Sequence, residues 1–193
     1  YGRSKLAGER EAMRYAGPWT VLRPPAVYGP RDIDILQFFR LAARGLVPLP
    51  SGERFVTTVY VADVVRAVLA AATGAAQGRV LHLGEPTPRS MTELIDAIAA
   101  AGSVRARTIA VPPWVLRAAG RVGDLLQRVG FRKVAMTSDK AGELLARHWT
   151  ARTAGSLEAL SLGGYVPFAQ GAAATWEWYR RRGWVPHAKM RVV

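Results

Sequence analysis

The chain has 193 residues, half of them hydrophobic and 21% charged, a composition that suits one domain or two small ones with a true core and excludes a disordered segment. It has no cysteine, which excludes disulfides, thiolate catalysis and cysteine-ligated zinc; its three histidines, His82, His148 and His187, stand far apart in no ligand spacing, so no metal is expected. The net charge of +13 admits anionic partners, but the basic residues are scattered and no nucleic-acid fold signature accompanies them, so no nucleic acid is expected.

In chain order, residues 1 to about 16 read as a helix ended by Gly17-Pro18. Tyr1 stands where a start Met would be, with no signal peptide before it, so the start reads as a truncation. Trp19 to Arg23 is a short strand stopped by Pro24-Pro25, and a loop follows through Tyr28-Gly29-Pro30. Ile35, Phe38, Phe39 and Ala42 fall at helical spacing, giving a helix to Gly45. Pro48 to Gly52 reads as a turn-rich connection, and Phe55 to Tyr60 as a strand.

Asp63 is placed to cap the next helix, whose apolar stripe is Val61, Val64, Val65, Val68, Leu69 and Ala72. Arg79 to Leu83 is a buried-type strand. Ser90-Met-Thr-Glu93 is a capping box opening a helix that ends at Gly102, and Arg105 to Val111 is a further strand. Pro112-Pro113 opens a long amphipathic helix. Val115, Ala118, Ala119, Val122, Leu125, Leu126 and Val129 are expected to face the core, with Arg117, Arg121, Asp124 and Arg128 opposite. A membrane-surface or partner-binding helix is the other reading of this pattern. Short helices are expected near Ser138–Arg147 and Ser156–Leu162, and a last one over Ala169–Arg182, where the Arg180-Arg181-Arg182 run suits a helix C-terminus. No apolar stretch reaches the ~20 residues of a membrane span, and a cytoplasmic location is expected. Strands and helices alternate to about residue 100, the signature of a mostly parallel α/β sheet.

Tyr1 and Lys5 lie four apart on a predicted helix and share a face. A phenol with a pKa of about 10 is a poor proton carrier at neutral pH. A nearby ammonium favours the phenolate and lowers that value, after which the pair can exchange a proton at a carbonyl or alcohol oxygen. Alone the spacing is weak evidence, with a solvated helix face as the alternative.

The residues around the pair sharpen it. Tyr1-Gly-Arg-Ser-Lys-Leu-Ala-Gly-Glu9 resembles the active-site helix of the extended short-chain dehydrogenase/reductase (NAD-dependent epimerase/dehydratase) family. Leu22-Arg-Pro-Pro-Ala-Val-Tyr-Gly-Pro30 resembles the strand and loop that this family places under the nicotinamide. Phe55 to Asp63, Val80-Leu-His-Leu-Gly84 with Thr92-Glu93-Leu94, Leu162 to Pro167 and Gly171 to Tyr179 resemble later family segments, in order.

The resemblance implies the C-terminal part of a doubly wound Rossmann-type parallel sheet plus a smaller, mainly helical substrate domain. Residues 1–30 and 60–84 would belong to a partial NAD(P)-binding domain, and residues 31–59 and 85–193 to the substrate domain. Tyr1 would be the general acid/base. Lys5 would lower its pKa and hold the nicotinamide ribose, and Pro24, Pro25, Ala26 and Val27 would line the nicotinamide of NAD or NADP. Arg31, Asp32 and Arg54 stand where family members often meet a small-molecule substrate; a surface charge is the other reading of each. For Asp63 a helix cap is favoured.

The family's Gly-rich turn and the Ser or Thr partner of the tyrosine belong upstream of Tyr1. The fragment is therefore expected to be inactive alone and to gain no thermal stability from NAD(H) or NADP(H). Nucleotide-sugar epimerases and dehydratases often carry an asparagine where Ala26 stands. The departure favours hydride transfer at a carbonyl/alcohol carbon by a reductase or dehydrogenase over a nucleotide-sugar epimerase/dehydratase. A non-catalytic NAD(P)-binding or assembly protein is a third reading. Trp114, Phe131, Trp149 and Phe168 would suit an apolar substrate but read first as core. The family also leaves room for a homodimer, and the amphipathic helix opened by Pro112-Pro113 for peripheral membrane contact.

Overall fold

The computed structural model describes residues 2–131, 134 and 136–186; Tyr1 and His187 lie outside the described residues. The elements run α1 (Gly2–Met13), β1 (Thr20–Arg23), β2 (Ala26–Tyr28), α2 (Leu36–Arg44), β3 (Leu46–Pro50), β4 (Phe55–Val56), β5 (Thr58–Tyr60), α3 (Val61–Ala72), β6 (Arg79–His82), β7 (Arg89–Ser90), α4 (Met91–Ala101), β8 (Arg107–Val111), α5 (Pro113–Arg128), α6 (Ser138–Leu145), β9 (His148–Trp149), α7 (Ser156–Ala159) and α8 (Phe168–Arg181).

The expected α/β architecture is present. β1 pairs in parallel with β6, β2 with β5 and β3 with β8, while β4 sits between antiparallel β7 and parallel β9. α3 lies in the crossover that carries the chain towards β6 beside β1, as parallel pairing requires.

Several expected elements fall differently. The loop after Pro25 contains a true strand, because Ala26, Val27 and Tyr28 find a parallel partner in Thr58 to Tyr60. The region read as a turn-rich connection at Pro48 is largely strand β3. Its prolines lack an N–H but keep a carbonyl, and among the described residues β3 has a single neighbour, where proline is tolerated. The strand read over Phe55–Tyr60 breaks at Thr57, whose N–H donates to the Trp149 carbonyl at 3.0 Å and whose Oγ1 accepts from Ala151 N at 3.1 Å. The Ser90 capping box forms as read: Glu93 N donates to Ser90 Oγ at 3.2 Å and Ser90 N to Glu93 Oε2 at 2.7 Å.

Two amphipathic assignments are corrected. Val65, Val68 and Leu69 of α3 are exposed, while Ala67 is buried. This helix is apolar nearly all round, so periodicity cannot choose its inner face. In α5 the buried residues are Gly120 and Gly123, not the aliphatic row. Missing side chains there let the segment at Val134, Met136 and Ser138 lie directly on the helix backbone, where any Cβ would strike it.

The interior forms two clusters. One joins Val59, Ala67, Leu81, Leu83 and Leu160 around the β1–β6 pair. The larger one joins Tyr28, α2, α4 and α8 through Phe39, Ile95, Ile98, Trp176 and Tyr179. Trp176 anchors it: its Nε1 donates to the Ile98 carbonyl at 2.6 Å, Phe39 meets its ring edge-on at 5.2 Å, and the Arg180 guanidinium lies 4.8 Å over the indole. Arg180, read as a dipole-facing cation, also donates to the carbonyl of Gly102.

Candidate active site

Lys5 stands on α1, exposed on a helix with no buried residue. One turn further on, Glu9 takes two hydrogen bonds from Arg23, one of them from Nε at 2.9 Å, which fastens α1 to the end of β1. The Arg23 guanidinium holds the Glu9 carboxyl below its usual range. Arg23 Nη1 also approaches His82 Nε2 at 3.3 Å.

Beyond Arg23 the chain runs into Pro24 and Pro25 and then β2. Pro25, Ala26 and Val27 form one wall of a cavity of about 590 Å³. Pro24 does not reach it and is exposed. The floor comes from α4 through Met91, Leu94, Ile95 and Ile98. The far wall comes from α6 through Lys140, Glu143 and Leu144, with Trp149 and Phe168 closing it. The lining is mainly apolar. Of the four aromatics read first as core, Phe168 is buried and Trp149 half-open, and both line this cavity; Trp114 and Phe131 are exposed.

The polar candidates separate. Asp32 borders the cavity, and its carboxylate accepts from Asp34 N and Ile35 N, each at 3.0 Å, which folds the turn into α2. Burial pushes its pKa up despite those two bonds. Arg54 also borders the cavity but is not a surface charge: it is buried, and its Nη1 donates to the carbonyls of Pro50, Ser51 and Gly52 at 3.3, 2.6 and 2.7 Å. Burial lowers its pKa, and its Nε finds no acceptor. Arg31 is exposed, with φ at 71°, and does not line the cavity.

Asp63 is not a cap. Tyr60 occupies the N-cap position without a side-chain bond, and Asp63 lies in the first turn, buried. Its carboxylate accepts from Val166 N and pairs with Arg66, which also donates to the Gly164 carbonyl at 2.9 Å. Burial pushes the pKa of Tyr28, Tyr60, Tyr165 and Tyr179 upward, the wrong direction for proton exchange near neutrality. Among the described residues no group of three or more His, Asp or Glu side chains could hold a metal.

The cavity-facing residues of α4 and α6 were not singled out from the sequence. The division of those positions between core and cavity is a tertiary property.

A parallel β pair with a crossover helix, bordered by an apolar cavity at the strand end, defines a Rossmann-type α/β protein with a ligand-sized site. The model of the NAD-dependent epimerase/dehydratase family matches residues 1–84 of the chain. The chain is 32% identical over 190 residues to the ceramide reductase of Caulobacter vibrioides, covering 96% of this chain and 59% of that protein. Among solved structures it is similar in fold to UDP-glucose 4-epimerase with UDP-glucose from Thermotoga maritima (TM-score 0.65, 22% identity, 93% of this chain and 52% of that one). It is likewise similar to RMD from Pseudomonas aeruginosa complexed with NADPH (TM-score 0.67, 18% identity, 94% and 56%). The chain thus spans between about half and three-fifths of the relatives it matches.

Proposed function

We propose that the intact protein carrying this chain is an NAD(P)-dependent reductase or dehydrogenase that interconverts a carbonyl and an alcohol on an apolar, long-chain substrate. The observation that carries this reading is the cavity. Its wall at Pro25, Ala26 and Val27 meets Met91, Leu94, Ile95, Leu144 and Phe168, a mainly apolar lining that suits an alkyl chain, with Asp32, Asp34, Gln37, Lys140 and Glu143 as polar groups in it. The methyl of Ala26 makes no hydrogen bond to a sugar hydroxyl. The similarity to a protein named ceramide reductase supports a lipid of that class as substrate.

The residues present fit the nicotinamide half of a dinucleotide. Pro25, Ala26 and Val27 give a flat apolar wall at the end of β1, with Pro24 beside them, and Lys5 supplies a cation for a ribose hydroxyl. When bound, NAD or NADP supplies or accepts the hydride. Tyr1 holds the proton that passes to or from the substrate oxygen, and the Lys5 ammonium stabilises its phenolate. Asp32, at the cavity edge, is a polar group for a substrate hydroxyl on this reading; Arg54 braces the turn at residues 50–52 through Nη1 while its buried Nε has no acceptor. On this reading residues 1–30 and 60–84 serve the cofactor and residues 31–59 and 85–193 the substrate.

The test is oxidation of NADH and NADPH by the intact protein with long-chain ketones, ceramide-class lipids included. Tyr1→Phe is expected to lower turnover about a hundredfold to ten-thousandfold. Retained turnover in Tyr1→Phe, or conversion of a UDP-sugar with no lipid ketone accepted, sinks the reading.

A further inference from the structure

Helix α5 presents its apolar residues outwards. Trp114, Val122, Leu125, Leu126, Val129 and, just past its end, Phe131 are between 38% and 69% exposed. The reason lies on the opposite side, where Gly120 and Gly123 let the chain before α6 pack against the backbone. At 100° per residue Trp114, Val122, Leu125, Leu126 and Val129 fall within one arc of roughly 120° on the side away from those glycines.

The charges around that arc are mainly positive, three arginines to one aspartate. Arg117, Arg121 and Arg128 follow one another along a single flank, all exposed. The helix's one acid, Asp124, lies on the same flank beyond Arg117 and accepts from Ser138 N at 3.0 Å. The exposed surface of α5 is therefore an apolar strip with an aromatic near each end and a cationic border, in a chain of net charge +13. This is the pattern of a helix lying in the plane of a membrane surface, its apolar side among acyl chains and its arginines at anionic headgroups.

We propose that α5 docks the intact protein on the surface of an anionic lipid bilayer. At about 1.5 Å per residue its 16 residues give a contact about 24 Å long, lying flat rather than crossing; no described helix is long and apolar enough to span. α6 packs against α5 and provides a wall of the cavity. The docked surface therefore sits one helix away from the site. The inference rests on the surface of α5 and does not require the reductase reading.

Flotation of the intact protein with vesicles tests it. Vesicles of phosphatidylglycerol and phosphatidylcholine are expected to carry the protein, vesicles of phosphatidylcholine alone far less, and added salt to weaken the binding. The double variant Leu125→Glu/Val129→Glu is expected to lower the bound fraction at least about tenfold with an unchanged melting temperature and oligomeric state. Arg121→Gln/Arg128→Gln, which leaves the apolar strip intact, is expected to lose the preference for phosphatidylglycerol. No flotation of the wild type, or equal flotation of wild type and the glutamate variant, overturns the proposal. So does a glutamate variant that unfolds or changes oligomeric state, since another protein surface then covers this face. Reductase activity is scored separately and bears on neither result.

Discussion

The carboxylate of Asp63 accepts a hydrogen bond from the backbone N–H of Val166 at 2.9 Å, across 103 residues of chain. The first turn of α3 is thereby tied to the segment that leads into α8. Arg66, one turn on, pairs with the same carboxylate and reaches the Gly164 carbonyl, so two neighbouring side chains hold one loop.

Asp63→Ala leaves the Val166 N–H without its acceptor and Arg66 without its partner. It is expected to destabilise the protein by about 2 kcal/mol, most of it the desolvation of unpaired groups. Asp63→Asn keeps one acceptor and should cost about half as much. Denaturant unfolding of both variants checks this, and an alanine variant within about 0.5 kcal/mol of wild type contradicts it.

Gly171 is required by space rather than by backbone angle. A Cβ there would run into the hydroxyl and ring of Tyr28, which is itself packed between Tyr60 and Phe168 with ring centroids 5.4 and 4.7 Å away. Gly171→Ala should force Tyr28 out of place, with a cost of about 1–3 kcal/mol. Because Tyr28 ends the strand that carries Ala26 and Val27, a raised KM for the cofactor is expected as well. Wild-type values of both stability and KM would show that Tyr28 can yield freely.

The capping box at α4 gives a pH dependence with a definite sign. Hydrogen bonds from Ser90 lower the pKa of Glu93. A depressed carboxyl pKa contributes stability above the unfolded value, about 4.3, and loses it as pH falls through the folded value. Ser90→Ala is expected to cost about 1 kcal/mol at neutral pH. Glu93→Gln should flatten the part of the stability profile below about pH 4 that this residue controls. Thermal melts of wild type and both variants between pH 3 and 7, roughly the span of carboxylate titration, would expose a profile unaffected by Glu93.

Leu144 faces the cavity from α6. Leu144→Trp should narrow the space for an alkyl chain and lower kcat/KM for long-chain ketones about tenfold, with a smaller effect on short ones. Equal loss on long and short substrates would place the chain elsewhere.

The parts of the fold legible in the sequence are those written in local chemistry. The Ser90 box, the glycine after α2 and the β1 and β6 strands carry their own signals within a few residues. What escaped depends on partners distant in sequence. β3 is a strand because β8 lies beside it, prolines notwithstanding. Asp63 looks like a cap because caps are local, whereas Val166, its actual partner, is remote. α5 shows the sharpest difference: its aliphatic spacing pointed inward, yet Gly120 and Gly123, also three apart, mark the packed side. For the candidate site, the strand-end motif at Pro24 to Val27 stands out in the sequence, and Pro25, Ala26, Val27 and Arg54 line the cavity. The burial of Arg54, and the way its guanidinium is occupied by backbone carbonyls, were not readable.

The cavity draws its walls from residues near 25, 54, 91–98, 140–149 and 168. No shorter stretch of the chain contains it. During synthesis, when residues emerge in order, the β1 strand and its neighbours can form long before Phe168 leaves the ribosome, but the site cannot close. A nascent chain stalled before α8 would therefore expose Met91, Ile95 and Ile98 as an open greasy trough. That makes the interval between the emergence of α4 and of α8 the stage at which this protein would most need a chaperone.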